Sequence, residues 1–393
     1  MGPSSIPPNM RKVSPLDEVR FSQRSLVDAF ADDLLDRELI GNWRSILDRL
    51  RCPDSGERLH ENGHGELENQ SGTHRWRVLG DLPWFASDRS HYHADVPEEI
   101  MRRLIERSMA GDWKSAFRQT LEEIDPQRQE PIAENVLDRG RALGTTLLPL
   151  HASSRVLDIG CGWGSLLLPV AERVELAVGL DLAGLRARFT QIRAHQEGLD
   201  NVRVLVGGDR PRLPFEDRLF DAVFLNGVLE WTPMTREGKP WNVQRDYLRE
   251  IRRVLRPGGH VYIGIENRYS LLYLKGHPED HVRLRFVSLL PRRLAGPYVK
   301  MRRGHDYRVI THGRGDYRKL LREAGFAGTE IFLAHPNYRV PTWILHESDH
   351  ASQRALAAPP SRSGLGALLG RAMVDSDLFA QCAAGYVVIG RNP

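Results

Sequence analysis

The chain has 393 residues, too many for one small domain and enough for one large domain with appendages or for two domains. With 41% hydrophobic and 27% charged residues it reads as globular, and a formal net charge of +4 argues neither for nor against nucleic acid. No apolar run approaches the roughly 20 residues that span a bilayer, and Cys52, Cys161 and Cys382 are too scattered for a disulfide framework or a four-cysteine metal site.

Residues 1–23, opening MGPSSIPPNMRKVSP, carry prolines and charges where a signal peptide needs an apolar core; they read as a disordered tail, and the chain is expected in the cytoplasm. Over 24–96, apolar residues first recur at helical spacing in SLVDAFADDLLDRELI and WRSILDRL. Brief apolar runs between Gly and Asn then predict a small β module from about Leu50 to Phe85. Residues 97–150 return to helical spacing, a helical cap. From 151 to 335 strands alternate with helices: SRVLDIG, VELAVGLDL, NVRVLVGGD, LFDAVFLNG and GHVYIGIEN each lead toward a helical pattern. That alternation predicts a parallel, doubly wound sheet with ligands at the carboxyl ends of its strands. GTEIFLAHP predicts a sixth strand. GYVVIGR predicts a seventh, possible as an antiparallel one, in an extension (336–393) that completes the sheet and contains the flexible linker AAPPSRSGLG. The expected fold class is thus α/β, a seven-stranded, mostly parallel sheet with an N-terminal helical and small β extension.

The stretch VLDIGCGWGSLLLPVA sets three glycines, Gly160, Gly162 and Gly164, between a β-branched run and an apolar helical pattern. A dinucleotide fingerprint needs G-x-G-x-x-G, whereas Ser165 stands where the last glycine would be. Asp158, just before the loop, would repel a pyrophosphate but could attract a cation and accept hydrogen bonds. A cationic or zwitterionic cofactor therefore fits better than a phosphate.

From about Arg155 to Gly325 these motifs, taken in order, resemble the class I S-adenosylmethionine-dependent methyltransferases, type 11-like. VLDIGCGWG is similar to the family's first motif, VGLDL to its second, GGDRPRLPFEDRLFDAVFLNGVLEW to the run entering the fourth strand, and LREIRRVLRPGGHVYIG to the helix, turn and fifth strand closing the cofactor domain. The resemblance implies a Rossmann-like fold and S-adenosyl-L-methionine as cofactor. It also implies Asp158, Gly160, Cys161, Gly162 and Gly164 around the methionine and ribose portion, Asp181 with Leu182 at the ribose hydroxyls, Asp209 with Arg210 at the adenine, and Asn226 at the end of the fourth strand. The module's CPDSGERL and VLGDLPWF look like the zinc-knuckle or rubredoxin-like modules that often precede such domains. Only Cys52 keeps a thiol there; His60, His64 and His74 could complete a site, but a degenerate knuckle held by packing is the favoured reading, with no metal expected.

Methyl transfer is an in-line displacement, so the protein has mainly to align a nucleophile and exclude water. A hydroxyl acceptor also needs a base. The residues for this should lie past the fourth and fifth strands, where Glu230 and Trp231 follow Asn226; many relatives have histidine where Trp231 stands, so that role does not carry over. Glu266, His281 and His305 are the candidate bases. Glu266-Asn267-Arg268 and Glu279-Asp280-His281 look like a pattern of a bacterial subgroup associated with surface-glycan or other secondary biosynthesis. Arg268 could hold an anionic group of the substrate or pair with Glu266. Residues 267–312 read as a lid insertion. Between Val282 and Arg322 only Asp306 and Asp316 are acidic, and the arginines there read as a solvated face, a clamp for an anionic small substrate, or a nucleic-acid or membrane-surface patch. The expected function is methyl transfer to an O or N nucleophile of a small-molecule or glycan-type substrate, which could be anionic. The rivals are an RNA or protein methyltransferase, a non-catalytic binding protein and a dehydrogenase. NGVLEW after the fourth strand points away from methylation of base amino groups, and Ser165 away from a dehydrogenase.

Overall fold

The computed structural model describes residues 42–87, 96–359 and 364–393. The expected tail, the helix SLVDAFADDLLDRELI and part of AAPPSRSGLG lie outside them. WRSILDRL is a 3-10 helix, Asn42–Arg49, that buries Trp43 and Ile46. The module that follows has strands β1 (Leu59–Glu61), β2 (Leu67–Asn69) and β3 (Arg75–Trp76) in one antiparallel sheet, and β4 (Val78–Leu79) and β5 (Leu82–Pro83) in a hairpin. A polar knot centred on Asn69 ties its loops: Nδ2, with two hydrogens to donate, lies within reach of Glu57 Oε2 (2.6 Å), Ser71 Oγ (3.0 Å), Thr73 Oγ1 (3.0 Å) and Ser55 Oγ (3.2 Å). Cys52 is buried beside it, its Sγ accepting from the Ser55 amide at 3.4 Å. The expected helical cap forms Glu98–Ala110, Trp113–Leu121, Pro126–Leu137 and the 3-10 segment Arg139–Leu147.

An eight-stranded sheet runs through the rest: β6 (Arg155–Ile159), β7 (Leu176–Asp181), β8 (Val202–Val206), β9 (Phe220–Asn226), β10 (Leu255–Glu266), β11 (Ala327–His335), β12 (Trp343–His346) and β13 (Gly385–Arg391), in the order β12-β11-β13-β10-β9-β6-β7-β8. The five strands β8, β7, β6, β9 and β10 are parallel, as alternation with helices requires; β13 enters antiparallel to β10, and β11 and β12 follow antiparallel. Seven strands were expected. The eighth, β12, comes from HPNYRVPTWIL, whose prolines mask its short strand pattern. Arg256 to Gly259, expected as a turn, lies within β10 where its register shifts. Apolar residues on both faces, such as Val156, Phe189 and Phe224 on one and Leu157, Leu225 and Leu248 on the other, bury the sheet between layers. The chain reverses its direction of winding between β6 and β9, which opens a crevice at their carboxyl ends.

The module packs on the free edge of this sheet. The Phe85 amide donates to the Val206 carbonyl at 2.6 Å, Trp84 bridges Val206 in parallel, and Leu50 bridges Phe215. Arg49 and Arg51 both pair with Glu216 at 2.8 Å.

Candidate functional site

The loop after β6 reaches over the crevice on left-handed glycines. Gly160 has φ of +71° and is packed so closely that a Cβ there would meet Val228 Cγ2 at 2.4 Å. Gly162, φ +53°, is different: a Cβ would enter open space, with the Gly160 carbonyl 3.8 Å away as its sole near atom. Asp181 at the end of β7 fixes this loop, accepting from the Gly162 amide through one oxygen and from the Ala183 amide through the other, both at 2.7 Å. A carboxylate has about four acceptor sites, so lone pairs remain for a ligand's hydroxyls. Leu182 follows, half-buried against the core. Asp158 is buried under the loop; desolvation pushes its carboxyl up to about 8, against the pull of Arg141. Such a group gains from a cationic neighbour. At the end of β9 both amide atoms of Asn226 are buried with no hydrogen-bond partner. A cradle that a side chain would fill, a buried carboxyl and an orphaned amide together fit a zwitterionic, sugar-bearing ligand.

Three expected cofactor residues are placed differently. Cys161 turns its side chain beneath the loop, where its Sγ would lie 2.9 Å from a Cβ on Gly179, and burial raises its thiol pKa; only its backbone can face a ligand. Asp209 stands near the end of β8 as expected, but its oxygens accept from the Ser87 amide (3.2 and 3.1 Å) and from the Ser87 hydroxyl. Arg210 lies over the Trp76 ring at 5.1 Å and 3.6 Å from Asp54, drawn to the module that covers this edge.

A second cluster is assembled from four distant segments. Glu230 lies on a 3-10 turn after β9, Glu266 ends β10, and His281 sits in the insertion; a ligand atom of each lies within 4.8 Å of the others, and all three are buried. Glu279 Oε1 holds His281 Nδ1 at 2.6 Å, while its Oε2 accepts from the amides of His281 (2.9 Å) and Val282 (2.8 Å). Trp231 packs edge-on against the His281 ring at 5.1 Å. Glu266 Oε1 accepts from Arg339 at 2.8 Å and from the Tyr338 hydroxyl at 2.9 Å; Oε2 of Glu266 and of Glu230 have no hydrogen-bond partner. Burial, then repulsion by Glu266, raises Glu230 to about 8. Burial works against the charged form of His281, but Glu279, Glu266 and Glu230 outweigh it and hold the imidazole at about 9. These three side chains are also the one grouping among the described residues that could take a metal ion. Arg339 already supplies a cation to Glu266 at 2.8 Å.

The sequence named Glu266 and His281, and the structure brings them together. His305 is not joined to them: its Nδ1 lies 3.2 Å from the Asp306 carbonyl, beyond the helix Arg292–Arg303. Arg268 neither pairs with Glu266 nor faces the site, because it donates to the carbonyls of Ser288 (2.5 Å) and Leu290 (2.6 Å) and braces the insertion. The roles of Glu230, Glu279, Tyr338 and Arg339 were not foreseen. Glu279 had a local signal, two residues before His281. Tyr338 and Arg339 had none.

Residues 157–263 match a family model described as a methyltransferase domain. The chain is 33% identical over 119 residues to 27-O-demethylrifamycin SV methyltransferase of Amycolatopsis mediterranei, covering 30% of this chain and 40% of that protein. It is 28% identical over 192 residues to sterol 4-C-methyltransferase strm-1 of Caenorhabditis elegans (49% of each). With malonyl-[acyl-carrier protein] O-methyltransferase of Methylococcus capsulatus it is 32% identical over 149 residues, 37% of this chain and 48% of that one. The chain thus spans less than half the length of these relatives. Among solved structures, Haemonchus contortus phosphoethanolamine N-methyltransferase 2 with S-adenosyl-L-methionine superposes with a TM-score of 0.38 at 19% identity, over 65% of this chain and 53% of that one. The glycine loop, the acidic β7 terminus and the matched segment coincide: the chain carries a class I S-adenosylmethionine-dependent methyltransferase domain.

Proposed function

We propose that the whole chain transfers a methyl group from S-adenosyl-L-methionine to a hydroxyl of a small-molecule or glycan-type biosynthetic substrate. The bound cofactor supplies an electrophilic methyl on a sulfonium. Gly162 leaves room for its amino-acid end, Asp181 and Asp158 offer carboxylates to its hydroxyls and positive charge, and Asn226 offers an amide. Asp209 remains the candidate for the adenine, shared with Ser87. The observation that carries the choice of a hydroxyl over an amine is the buried Glu230, Glu266 and His281 group with Glu279 behind it, since a hydroxyl must lose a proton during attack and an amine can be methylated by positioning alone. Glu279 orients the imidazole as an orienting carboxylate does in a base dyad. Glu230 at about 8 and His281 at about 9 carry their protons at neutral pH, so the form able to act as a base is populated as pH rises through those values. Arg339 and Tyr338 hold Glu266 in place by hydrogen bonds to Oε1.

The test is incubation of the purified chain with methyl-labelled cofactor and a panel of hydroxylated and amine acceptors, among them nucleotide sugars and glycosides. Label should pass to oxygen. Label on RNA, protein or amine nitrogen alone would overturn the reading, as would tight cofactor binding with no transfer to any acceptor.

A further inference from the structure

The insertion between β10 and β11 has a small core of its own, built from Val282, Leu284, Val287, Ala295, Val299 and Tyr307. Its inner side carries Glu279 and His281. Its outer side is unusual in mixing exposed apolar and cationic residues. Along 282–285 the chain alternates, Val282 and Leu284 inward, Arg283 and Arg285 outward. Phe286 follows in a left-handed conformation, 49% exposed, packed beside Gly276 and so next to the exposed Leu272 and Leu274. On the helix Arg292–Arg303, Ala295 and Val299 face the core, whereas Leu294 (54% exposed), Pro297 and Met301 (74%) form an outward stripe flanked by Arg293, Lys300 and Arg302. Lys300 pairs with Asp306. Arg283, Arg285, Arg293 and Arg302 have no ion-pair partner among the described residues, and Asp306 and Asp316 are the sole acidic residues from 282 to 322. By contrast Arg268, Arg292, Arg303 and Arg308 turn inward onto backbone carbonyls.

We propose that this outer face docks on an anionic bilayer surface, with Phe286, Leu272, Leu274, Leu294 and Met301 at the headgroup level and the outward arginines on lipid phosphates. Arginine and large apolar side chains interleaved on one face are what an interfacial surface requires. A nucleic acid would leave the apolar side chains without a role. A second copy meeting this face in an isologous contact would set arginine against arginine. The inference goes beyond methyl transfer and does not depend on it.

The test is flotation of the full chain with vesicles of phosphatidylcholine, alone or mixed with phosphatidylglycerol. Binding should require phosphatidylglycerol and weaken with salt. The pair Arg285→Gln and Arg293→Gln should lower partitioning by about 30-fold, two surface charges' worth, and the pair Leu294→Ser and Met301→Ser should lower it comparably. Near-UV circular dichroism and the thermal midpoint should stay unchanged in both pairs. Equal binding to both vesicle types, variants that bind as the parent does, a dimer lost in the serine variant without vesicle binding, or salt-sensitive RNA binding without vesicle binding would each overturn the proposal.

Discussion

The two halves of the crevice bury carboxylates in opposite ways. On the β6 and β7 side, Asp181 is satisfied by two backbone amides at 2.7 Å and serves as a strut of the glycine loop. On the β9 and β10 side, Glu230 and Glu266 keep an oxygen each without a hydrogen-bond partner; burial and Glu266 raise Glu230, and Glu279, Glu266 and Glu230 raise His281. The first half ties its loop to a carboxylate that keeps lone pairs for a ligand. The second holds charge that has to be shared, which is costly in a protein interior unless it performs chemistry.

Substitutions can test that division. The largest effect is expected at the acceptor side: His281→Ala should slow turnover by about 10²- to 10⁴-fold while calorimetry finds cofactor affinity unchanged, and Glu279→Gln should lie between it and the parent. If affinity and rate fell together in both, the halves would not be separate. Next, Gly162→Val should abolish measurable cofactor binding by filling the cradle; the sheet should persist by circular dichroism, with a loss of about 1–2 kcal/mol from the left-handed backbone. Asp181→Ala should weaken binding ~10- to 150-fold, the worth of one charge-assisted hydrogen bond, and should also lower the thermal midpoint because the loop loses its strut.

Two smaller effects concern protons. Glu230 helps to hold His281 at about 9, so Glu230→Gln should move the rise of rate with pH to lower pH. An unmoved profile would uncouple the two residues. Asp158 and Glu230 are raised to about 8 from ordinary values of 3.8 and 4.5, so the cofactor-free fold binds more protons than the unfolded chain between those limits. The stability they contribute is complete below about pH 4 and is lost as pH rises through 8. His281, raised from 6.5 to about 9, acts in the same direction, its contribution being lost as pH rises through 9. Denaturant unfolding from pH 5 to 9 should show this decline, and saturating cofactor should flatten the part due to Asp158.

The cradle was legible in the sequence because local rules specify it. Asp158 near the end of β6 is followed at once by Gly160 and Gly162 in the loop, and Asp181 ends the next strand, so a short stretch specifies this backbone. The surroundings of Arg210 and Cys161 were not legible because they are supplied by residues outside that stretch: Trp76 and Asp54 on the module, Gly179 in β7. The acceptor cluster was only half legible. Glu266 and His281 stand at motif positions, but what makes them a unit is their meeting with Glu230 and with Arg339, more than a hundred residues away from it, which no periodicity encodes. The extra strand β12 escaped for a related reason: it exists because β11 offers it an edge.

The hydrogen bonds from Phe85 to Val206 and from Ser87 to Asp209 have one more implication. They graft a foreign ribbon onto the rim of the large sheet and carry it to Asp209. Cutting the chain back to its recognisable core would strip that rim, leaving bare N–H and C=O groups ready to zip onto neighbouring molecules. The leading segment therefore acts as a selvedge, and lesions within it should surface as aggregation.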